Sequence, residues 1–354
     1  MTERKTIRWG IAGTGAIARQ FAGDIRHARG AALAAVCSRD RERAEDFAGR
    51  HSGVTAYGSL DAMLASGRVD AVYIATPNMV HHAQTLQCIA ARVPVLVEKP
   101  MVTRLDEALE IRAAAAGADV FVMEGLWSRY LPATRAARTA LAGGVIGTIR
   151  RLEADIAWKQ AYDPQSRFFD SAQGGGALHD LGIYPVSLAR FFLGEPDHVE
   201  GTWTAAPSGV DMAASLRMRF GAAEALISCG LDREGSNRMV IEGDRGVLVL
   251  DAPFIKAGGY SVHASRRLAN LAHPGNKLAA RIARGLVRRM PLPGIAWHGF
   301  PFEGSGLQFE IEAASDAIRR GLGEEPDNRL DDTIAALRII DQVLSSPPSG
   351  EWKP

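Results

Sequence analysis

A glycine-rich turn near the N-terminus constrains the fold of this chain more than any other feature. Gly13, Gly15 and Ala18 have the spacing Gly-x-Gly-x-x-Ala directly after an apolar segment, residues 6–12, that is typical of a buried strand. In such a turn the first glycine permits the tight reversal, the second lets a pyrophosphate approach the backbone, and the small third residue lets the next helix pack closely. The turn predicts a dinucleotide site, with contacts from Gly13, Gly15, Ala16 and Ile17.

The segments that flank the turn strengthen this prediction, because the spacing by itself is a weak signal. Strands and helices alternate as far as residue 125, which is typical of an α/β fold with a parallel sheet. We therefore predict a Rossmann domain over residues 1–125. Its predicted strands are 6–12, 31–36, 70–75, 94–97 and 120–123, and its predicted helices are 17–28, 81–91 and 105–116.

The end of the second predicted strand indicates which dinucleotide is bound. An acidic side chain there would hold the ribose 2′-hydroxyl of NAD, but the sequence has Ser38 and Arg39, which suit the 2′-phosphate of NADP. Arg43 could add to the same site. In the alternative interpretation, Ser38 or Asp40 only caps the following helix. We expect NADP, with NAD less favoured.

Polar residues also follow two later strands, at the carboxyl edge where open α/β sheets place their active sites. Lys99 follows the apolar strand 94–97 as the second residue of the charged pair Glu98-Lys99, and it could bond a reacting hydroxyl or lower the pKa of a neighbour. The alternative is a solvated charged turn. His81 begins a helix, where a packing histidine is more usual than a catalyst. The residues predicted to contact the cofactor at this edge are Thr76, Pro77, Asn78, His81, Glu98 and Lys99.

Composition excludes several classes of protein. The 354 residues suit two domains, and 41 basic against 40 acidic residues give no signal for nucleic acid or membrane. The three cysteines have no spacing typical of a disulfide framework or a metal site, and we predict no metal. The sequence shows neither a signal peptide nor an apolar run of about 20 residues that could span a bilayer. We expect a soluble, cytoplasmic protein.

A second motif lies in residues 174–185, GGGALHDLGIYP. The three glycines predict a loop of close backbone approach, and the following segment has the apolar periodicity of a packed helix. Asp180 and Tyr184 are four apart and so would lie on one side of that helix. Pro185 removes a backbone donor and would bend the segment. The alternative is a core helix with one capping carboxylate and one half-buried tyrosine.

Taken together, these motifs resemble the glucose-fructose oxidoreductase/inositol dehydrogenase (Gfo/Idh/MocA) family over most of the chain: Gly-x-Gly-x-x-Ala, Thr-Pro-Asn-x-x-His, Glu-Lys-Pro and the 174–185 motif. Residues 123–132, MEGLWSRYLP, and Tyr184 most resemble the branch of dimeric dihydrodiol dehydrogenase and NADP-linked xylose dehydrogenase. Many relatives have histidine in place of Tyr184. The resemblance implies a Rossmann domain and a C-terminal α+β domain, residues 126–354, with an open, mainly antiparallel sheet.

The resemblance also implies NADP(H) as hydride carrier, with a lysine and a tyrosine at the reacting centre. We predict Tyr184 as proton acceptor or donor, Lys99 as its electrostatic partner and donor to the substrate hydroxyl, and Asp180 as substrate orienter; the roles of Tyr184 and Lys99 could be exchanged. The predicted substrate is a sugar or a cyclic diol. Flat or cationic side chains suited to such a ring, although each could equally be core or salt-bridged, are Trp127, Arg129 and Trp158.

The remaining sequence indicates assembly rather than chemistry. Alternating strands are predicted near residues 147–158, 199–205, 213–220, 223–229, 239–242 and 246–250. The resemblance implies that a second subunit covers this sheet, and a broad uncovered apolar face is rare in monomers, so we expect a homodimer or homotetramer.

The C-terminal third also contains a basic segment and two helices. Residues 252–302 have no acidic residue, and a candidate amphipathic helix there carries Arg281, Arg284, Arg288 and Arg289. This segment is interpreted as a solvated or dimer-contact arm, or as a site for an anionic partner or phosphorylated substrate. Packing helices are predicted over 308–320 and 331–344, followed by a tail, 345–350.

Two classes of function therefore stay open. The first is an NADP-dependent oxidoreductase, with an isomerase or glycosidase that oxidises its substrate transiently as a variant. The second is a sensor that binds the dinucleotide without turnover.

Overall fold

A computed structural model describes residues 5–273 and 293–353. The predicted helix with Arg281, Arg284, Arg288 and Arg289 lies outside the described residues. The chain divides into two compact units. The first consists of Met1–Trp127, Ala172–Gly174 and Glu303–Arg338, and the second of Ser128–Ser171, Gly175–Phe302 and Ile339–Pro354.

The first unit is built on a parallel sheet of six strands in the order β3-β2-β1-β4-β5-β6. The strands are β1 (Ile7–Ala12), β2 (Ala31–Cys37), β3 (Thr55–Tyr57), β4 (Ala71–Ile74), β5 (Val95–Glu98) and β6 (Val122–Gly125). The helices between them are α1 (Ala16–Asp24), α2 (Arg41–Gly49), α3 (Leu60–Ala65), α4 (His81–Ala90) and α5 (Leu105–Ala118). This is the predicted Rossmann arrangement, and it brings the carboxyl ends of all six strands to one edge.

Two helices from the C-terminal part of the chain complete the first unit. These are α9 (Leu307–Arg319) and the first part of α10 (Leu330–Leu344). Helix α9 packs on the face that α1 covers, and the indole of Trp9 donates a hydrogen bond of 3.0 Å to the hydroxyl of Ser315. Buried residues of α10 join the core on the opposite face. Both faces of the sheet are therefore covered, as a parallel sheet requires.

The second unit contains a sheet of nine strands in the order β14-β13-β12-β11-β7-β10-β9-β8-β15. The strands are β7 (Ile149–Ala157), β8 (His198–Ala205), β9 (Asp211–Phe220), β10 (Ala223–Gly230), β11 (Arg238–Gly243), β12 (Val247–Leu250), β13 (Gly259–His263), β14 (Ile295–Gly299) and β15 (Gly350–Glu351). Only the pairs β7–β10 and β8–β15 are parallel. The prediction of an α/β chain with a mainly antiparallel C-terminal sheet is confirmed.

Helices α6 (Pro132–Ala142) and α7 (Ile183–Leu193) pack on this sheet, and the short α8 (Arg266–Ala272) contacts β12 and β13. The sequence did not predict β13 or β14. The predicted tail is wrong in one respect, because Gly350 pairs with Thr204 in the edge strand β15. Among the described residues, no helix is both long and apolar enough to cross a bilayer.

Candidate functional site

The predicted glycine turn joins β1 to α1. Gly13 has φ +108°, and a Cβ atom there would lie 2.7 Å from the carbonyl oxygen of Ala75, so the fold itself requires glycine. Gly15 is different, because its φ is −71° and a Cβ atom would meet nothing within 4 Å. The fold therefore does not require glycine at position 15. The predicted close approach of a pyrophosphate to this backbone would require it. Ala18 is fully buried, as its packing role predicts.

The polar residues after β2, residues 38–40, were predicted either to bind a 2′-phosphate or only to cap the next helix. Asp40 caps α2, where its carboxylate accepts the Arg43 N–H at 3.2 Å and pairs with the Arg43 guanidinium at 3.1 Å. The Ser38 hydroxyl accepts the Asp40 N–H at 3.2 Å. The capping alternative therefore holds for Asp40. Arg39 is exposed and forms no ion pair with any residue that the structure describes, so its guanidinium is available to a ligand.

The loop after β4 is fixed by side chains of α4. The Thr76 hydroxyl donates to the Gln84 side-chain oxygen at 2.7 Å, and Asn78 begins a short 3₁₀ turn, Asn78–Val80. His81 is fully buried, with Nε2 at 2.9 Å from the Thr76 carbonyl oxygen and Nδ1 at 3.1 Å from that of Pro100. This is the packing role that the sequence favoured; contact of Thr76, Pro77, Asn78 or His81 with a cofactor stays a prediction.

Glu98 and Lys99 stand where β5 ends. The Glu98 carboxylate accepts hydrogen bonds from the Tyr73 hydroxyl and, at 3.2 Å, from the Lys99 N–H. Burial raises the pKa of Glu98, and the Tyr73 hydrogen bond opposes this shift. The Tyr73 ring stacks on Phe21 at 3.9 Å. Glu98 is thus held inside the Rossmann unit, and the cis peptide Lys99–Pro100 follows it at the carboxyl edge.

Asp180 and Tyr184 lie on the segment that leads into α7. Residues Leu178–Gly182 form a π-helical turn, and α7 continues from Ile183, so the segment is not the single regular helix that was predicted. Such turns often occur at functional sites. The Asp180 side chain is 13% exposed and its carboxylate lies 3.4 Å from Nη1 of Arg167, while Tyr184 is 6% exposed.

A buried carboxylate that the sequence did not single out fixes the start of this turn. Asp211, the first residue of β9, accepts the Leu178 N–H at 2.6 Å. Gly176 has φ +116°, and a Cβ atom there would lie only 2.0 Å from Asp211 Oδ1, which explains one glycine of the 174–176 run. Burial raises the pKa of Asp211 to about 7, although the backbone N–H groups of Leu178 and Ala177 favour its ionised form.

The three residues predicted to contact the substrate ring differ in their burial. Arg129 is buried, and its guanidinium donates to the hydroxyl of Ser187 at 2.7 Å and to the Ser187 carbonyl oxygen at 3.2 Å. Arg129 thus has the packing contacts of the core alternative, and its contact with a substrate stays a prediction. Trp127 is also buried, whereas Trp158 is half-buried. Lys99 belongs to the first unit and Tyr184 to the second, and their joint action stays a prediction.

The class of protein follows from both units. Residues 7–126 match the model of the oxidoreductase family with an NAD-binding Rossmann fold, and residues 134–249 match the GFO/IDH/MocA C-terminal domain. The chain belongs to the Gfo/Idh/MocA family of oxidoreductases, and the predicted resemblance is confirmed.

Individual relatives of this chain carry the names of dehydrogenases. The chain is 29% identical to trans-1,2-dihydrobenzene-1,2-diol dehydrogenase of Sus scrofa over 343 residues, 95% of this chain and 96% of the relative. The Homo sapiens enzyme of that name is 28% identical over 342 residues, with the same coverage.

Solved structures share the fold at lower identity. A 3-ketoreductase from Actinomadura kijaniata, in complex with NADP and TDP-benzene, has a TM-score of 0.81 at 23% identity, covering 99% of this chain and 100% of that one. An aldose-aldose oxidoreductase from Caulobacter crescentus has a TM-score of 0.80 at 22% identity, covering 96% and 97%.

Proposed function

We propose that this chain is an NADP-dependent dehydrogenase that transfers a hydride between the nicotinamide and a secondary hydroxyl of a sugar or cyclic diol. The observation that carries the proposal is the shared edge of the parallel sheet: the glycine turn after β1 and Lys99 after β5 both stand at its carboxyl end. The diol and aldose in the names of the relatives support this substrate class.

The residues of the first unit fit NADP. Gly15 leaves the backbone at the start of α1 open to a pyrophosphate, and a helix N-terminus favours negative charge. Arg39 offers an exposed guanidinium just after β2, and the adjacent carboxylate of Asp40 is engaged with Arg43 as the cap of α2. When bound, the nicotinamide accepts or returns the hydride. The protein must supply the position of the substrate and the path of the proton.

In this proposal Tyr184 and Lys99 carry out the proton transfer. A phenol has a pKa near 10 and is a poor base at neutral pH, but an ammonium within hydrogen-bond reach would favour the phenolate. Tyr184 takes the proton of the substrate hydroxyl, Lys99 stabilises the phenolate, and the carboxylate of Asp180 orients the substrate. The same groups return the proton when a ketone is reduced.

Substitution of the two residues tests the assignment. Lys99→Met keeps the apolar stem without the ammonium, and Tyr184→Phe removes one hydroxyl. Each should lower single-turnover reduction of NADP by about two to four decades, with a far smaller change in NADP affinity. The double variant should lose little more than the worse single variant, because residues that act as a unit are not additive.

Matched controls are Lys5→Met, an exposed lysine before β1, and Tyr260→Phe on β13. Both should keep the wild-type rate. Full turnover in Tyr184→Phe would remove the tyrosine from the mechanism, and absence of wild-type turnover on every sugar, diol and hydroxy acid would favour the sensor.

A further inference from the structure

The short segment that follows β5, residues 99–101, is held by a buried histidine on one side. The His81 ring is fully buried at the start of α4. Its two nitrogens lie 3.1 Å and 2.9 Å from the carbonyl oxygens of Pro100 and Thr76. The imidazole therefore lies between the loop after β5 and the loop after β4. In its neutral form, which burial favours, it has one N–H and donates to one of these two carbonyl oxygens.

A buried carboxylate holds the same segment on the other side. Glu124 of β6 is 1% exposed, and its Oε1 accepts the Met101 N–H at 2.9 Å. Its Oε2 accepts the Thr333 hydroxyl at 2.8 Å, and its backbone carbonyl accepts Nδ2 of Asn328 at 2.7 Å. One oxygen of the carboxylate is therefore bonded to Thr333 of α10, and the other is bonded to the loop after β5.

These two contacts bracket one peptide stretch. The Pro100 carbonyl oxygen contacts His81 Nδ1, and the Met101 N–H donates to Glu124, so Lys99 is the one residue between the end of β5 and these contacts. Burying an imidazole and a carboxylate is costly unless each is hydrogen-bonded. Apolar side chains could fill the same space without that cost but could not bond the backbone. The presence of a buried imidazole and a buried carboxylate here is therefore explained by their contacts with the backbone of residues 100 and 101.

We propose that His81 and Glu124 are positioning residues that together fix the backbone from which the Lys99 ammonium acts. The proposal rests on the proposed function of Lys99 in proton transfer. A catalytic group must be held within a fraction of an ångström of its productive position, because a displacement of about 1 Å can cost about a hundredfold in rate. Neither His81 nor Glu124 touches the reacting atoms in this role.

The experiment combines backbone protection with kinetics. The variants are Glu124→Ala, which removes the acceptor of the Met101 N–H, Glu124→Gln, which keeps an acceptor oxygen, and His81→Asn. Ser315→Ala is the matched control, because it removes a buried hydrogen bond to Trp9 on the other face of the same sheet. Hydrogen exchange of the Met101 amide, measured by mass spectrometry of peptides that cover residues 99–103, reports the contact without any turnover.

Glu124→Ala should raise exchange at Met101 at least about tenfold and lower kcat about ten- to a hundredfold. KM and NADP affinity should change less than about threefold, since the binding residues stay in place. Glu124→Gln should restore most of the protection and most of kcat, His81→Asn should lower kcat, and Ser315→Ala should change neither.

Each contrary result has one meaning. Unchanged exchange at Met101 in Glu124→Ala would overturn the contact, and raised exchange with wild-type kcat would overturn the positioning role if Lys99→Met is inactive. If Lys99→Met is itself active, the proposed function fails instead. Should Glu124→Ala not fold, Thr333→Val removes the anchoring hydroxyl and is judged by the same two measurements.

Discussion

Arg39 differs from the other arginines around α2 in having no carboxylate partner among the described residues. Arg41 pairs with Glu45 at 2.8 Å and Arg43 pairs with Asp40, so their charges are already compensated within the helix. A guanidinium without such a pair at the end of β2 is suited to charge-assisted hydrogen bonds with a 2′-phosphate. The preference for NADP over NAD should therefore depend on this one side chain.

Arg39→Ala should weaken NADP binding by about one to two decades, because charge-assisted hydrogen bonds contribute about 1.5–3 kcal/mol. NAD lacks the phosphate, and its affinity should not change. Isothermal titration of both cofactors measures the difference, with Arg41→Ala as the control that leaves both affinities intact. An equal loss for the two cofactors, or a wild-type preference for NAD, would contradict the assignment.

At the scale of elements, the π-helical turn Leu178–Gly182 contains His179, and Asp211 of β9 caps the start of this turn. Burial moves the pKa values of these two groups in opposite directions. Burial lowers the pKa of His179 to about 4, whereas it raises that of Asp211 to about 7. The unfolded chain protonates His179 near pH 6.5, so this residue costs stability as the pH falls from 6.5 towards 4. Asp211 acts with the opposite sign, since the folded state keeps a proton that the unfolded state releases above about pH 3.8.

His179→Gln should isolate the histidine contribution. Between pH 7 and pH 5 the free energy of unfolding should fall by about 2 kcal/mol less in this variant than in the wild type, because the shift from about 6.5 to about 4 has been removed. Urea unfolding at the two pH values measures it, with the exposed His198→Gln as control. The same pH dependence in His179→Gln and the wild type would show that His179 is not the acid-sensitive group.

The elements that could be predicted from sequence are those with a local pattern. Strand β4 is a fully buried apolar run, and β1 and β5 are such runs apart from the exposed Arg8 and the terminal Glu98. The glycine turn and Lys99 could be predicted because they follow these runs directly. Strand β3 has only three residues, too few for a periodic signal. Strands β13 and β14 were not predicted, because residues 252–302 lack acidic residues and their basic composition indicated a solvated arm.

Contacts between distant parts of the chain could not be predicted in this way. Asp211 is far in sequence from the turn that it caps, and Glu124 is far from Thr333. Nothing in the periodicity of α9 indicates that it returns to the Rossmann sheet rather than to the sheet before it. Residue types and local spacing identify candidate chemistry, whereas hydrogen bonds across long sequence separations identify what holds it in place.

At the scale of the whole molecule, one face of the nine-stranded sheet carries ion pairs beside apolar side chains such as Leu226. Glu224 bonds Arg151 at 2.6 Å and Arg217 at 2.8 Å, and Asp155 bonds Arg233 at 2.7 Å. A groove of about 760 Å³ lies on this face, and its lining includes Glu153, Asp155, Ser215, Arg217, Leu226 and Arg266. A partner on this face would have to match its charges.

We expect a homodimer or homotetramer formed through this face, with an affinity that falls as salt rises because charged contacts are screened. Leu226→Arg places an extra cation within the groove and should give a monomer, whereas Glu45→Lys on α2 should leave the assembly unchanged. Light scattering coupled to gel filtration at micromolar concentration, in low and high salt, measures the mass. A wild-type protein that is a monodisperse monomer in low salt would contradict the expectation, and an assembly that Leu226→Arg does not weaken would place the interface elsewhere.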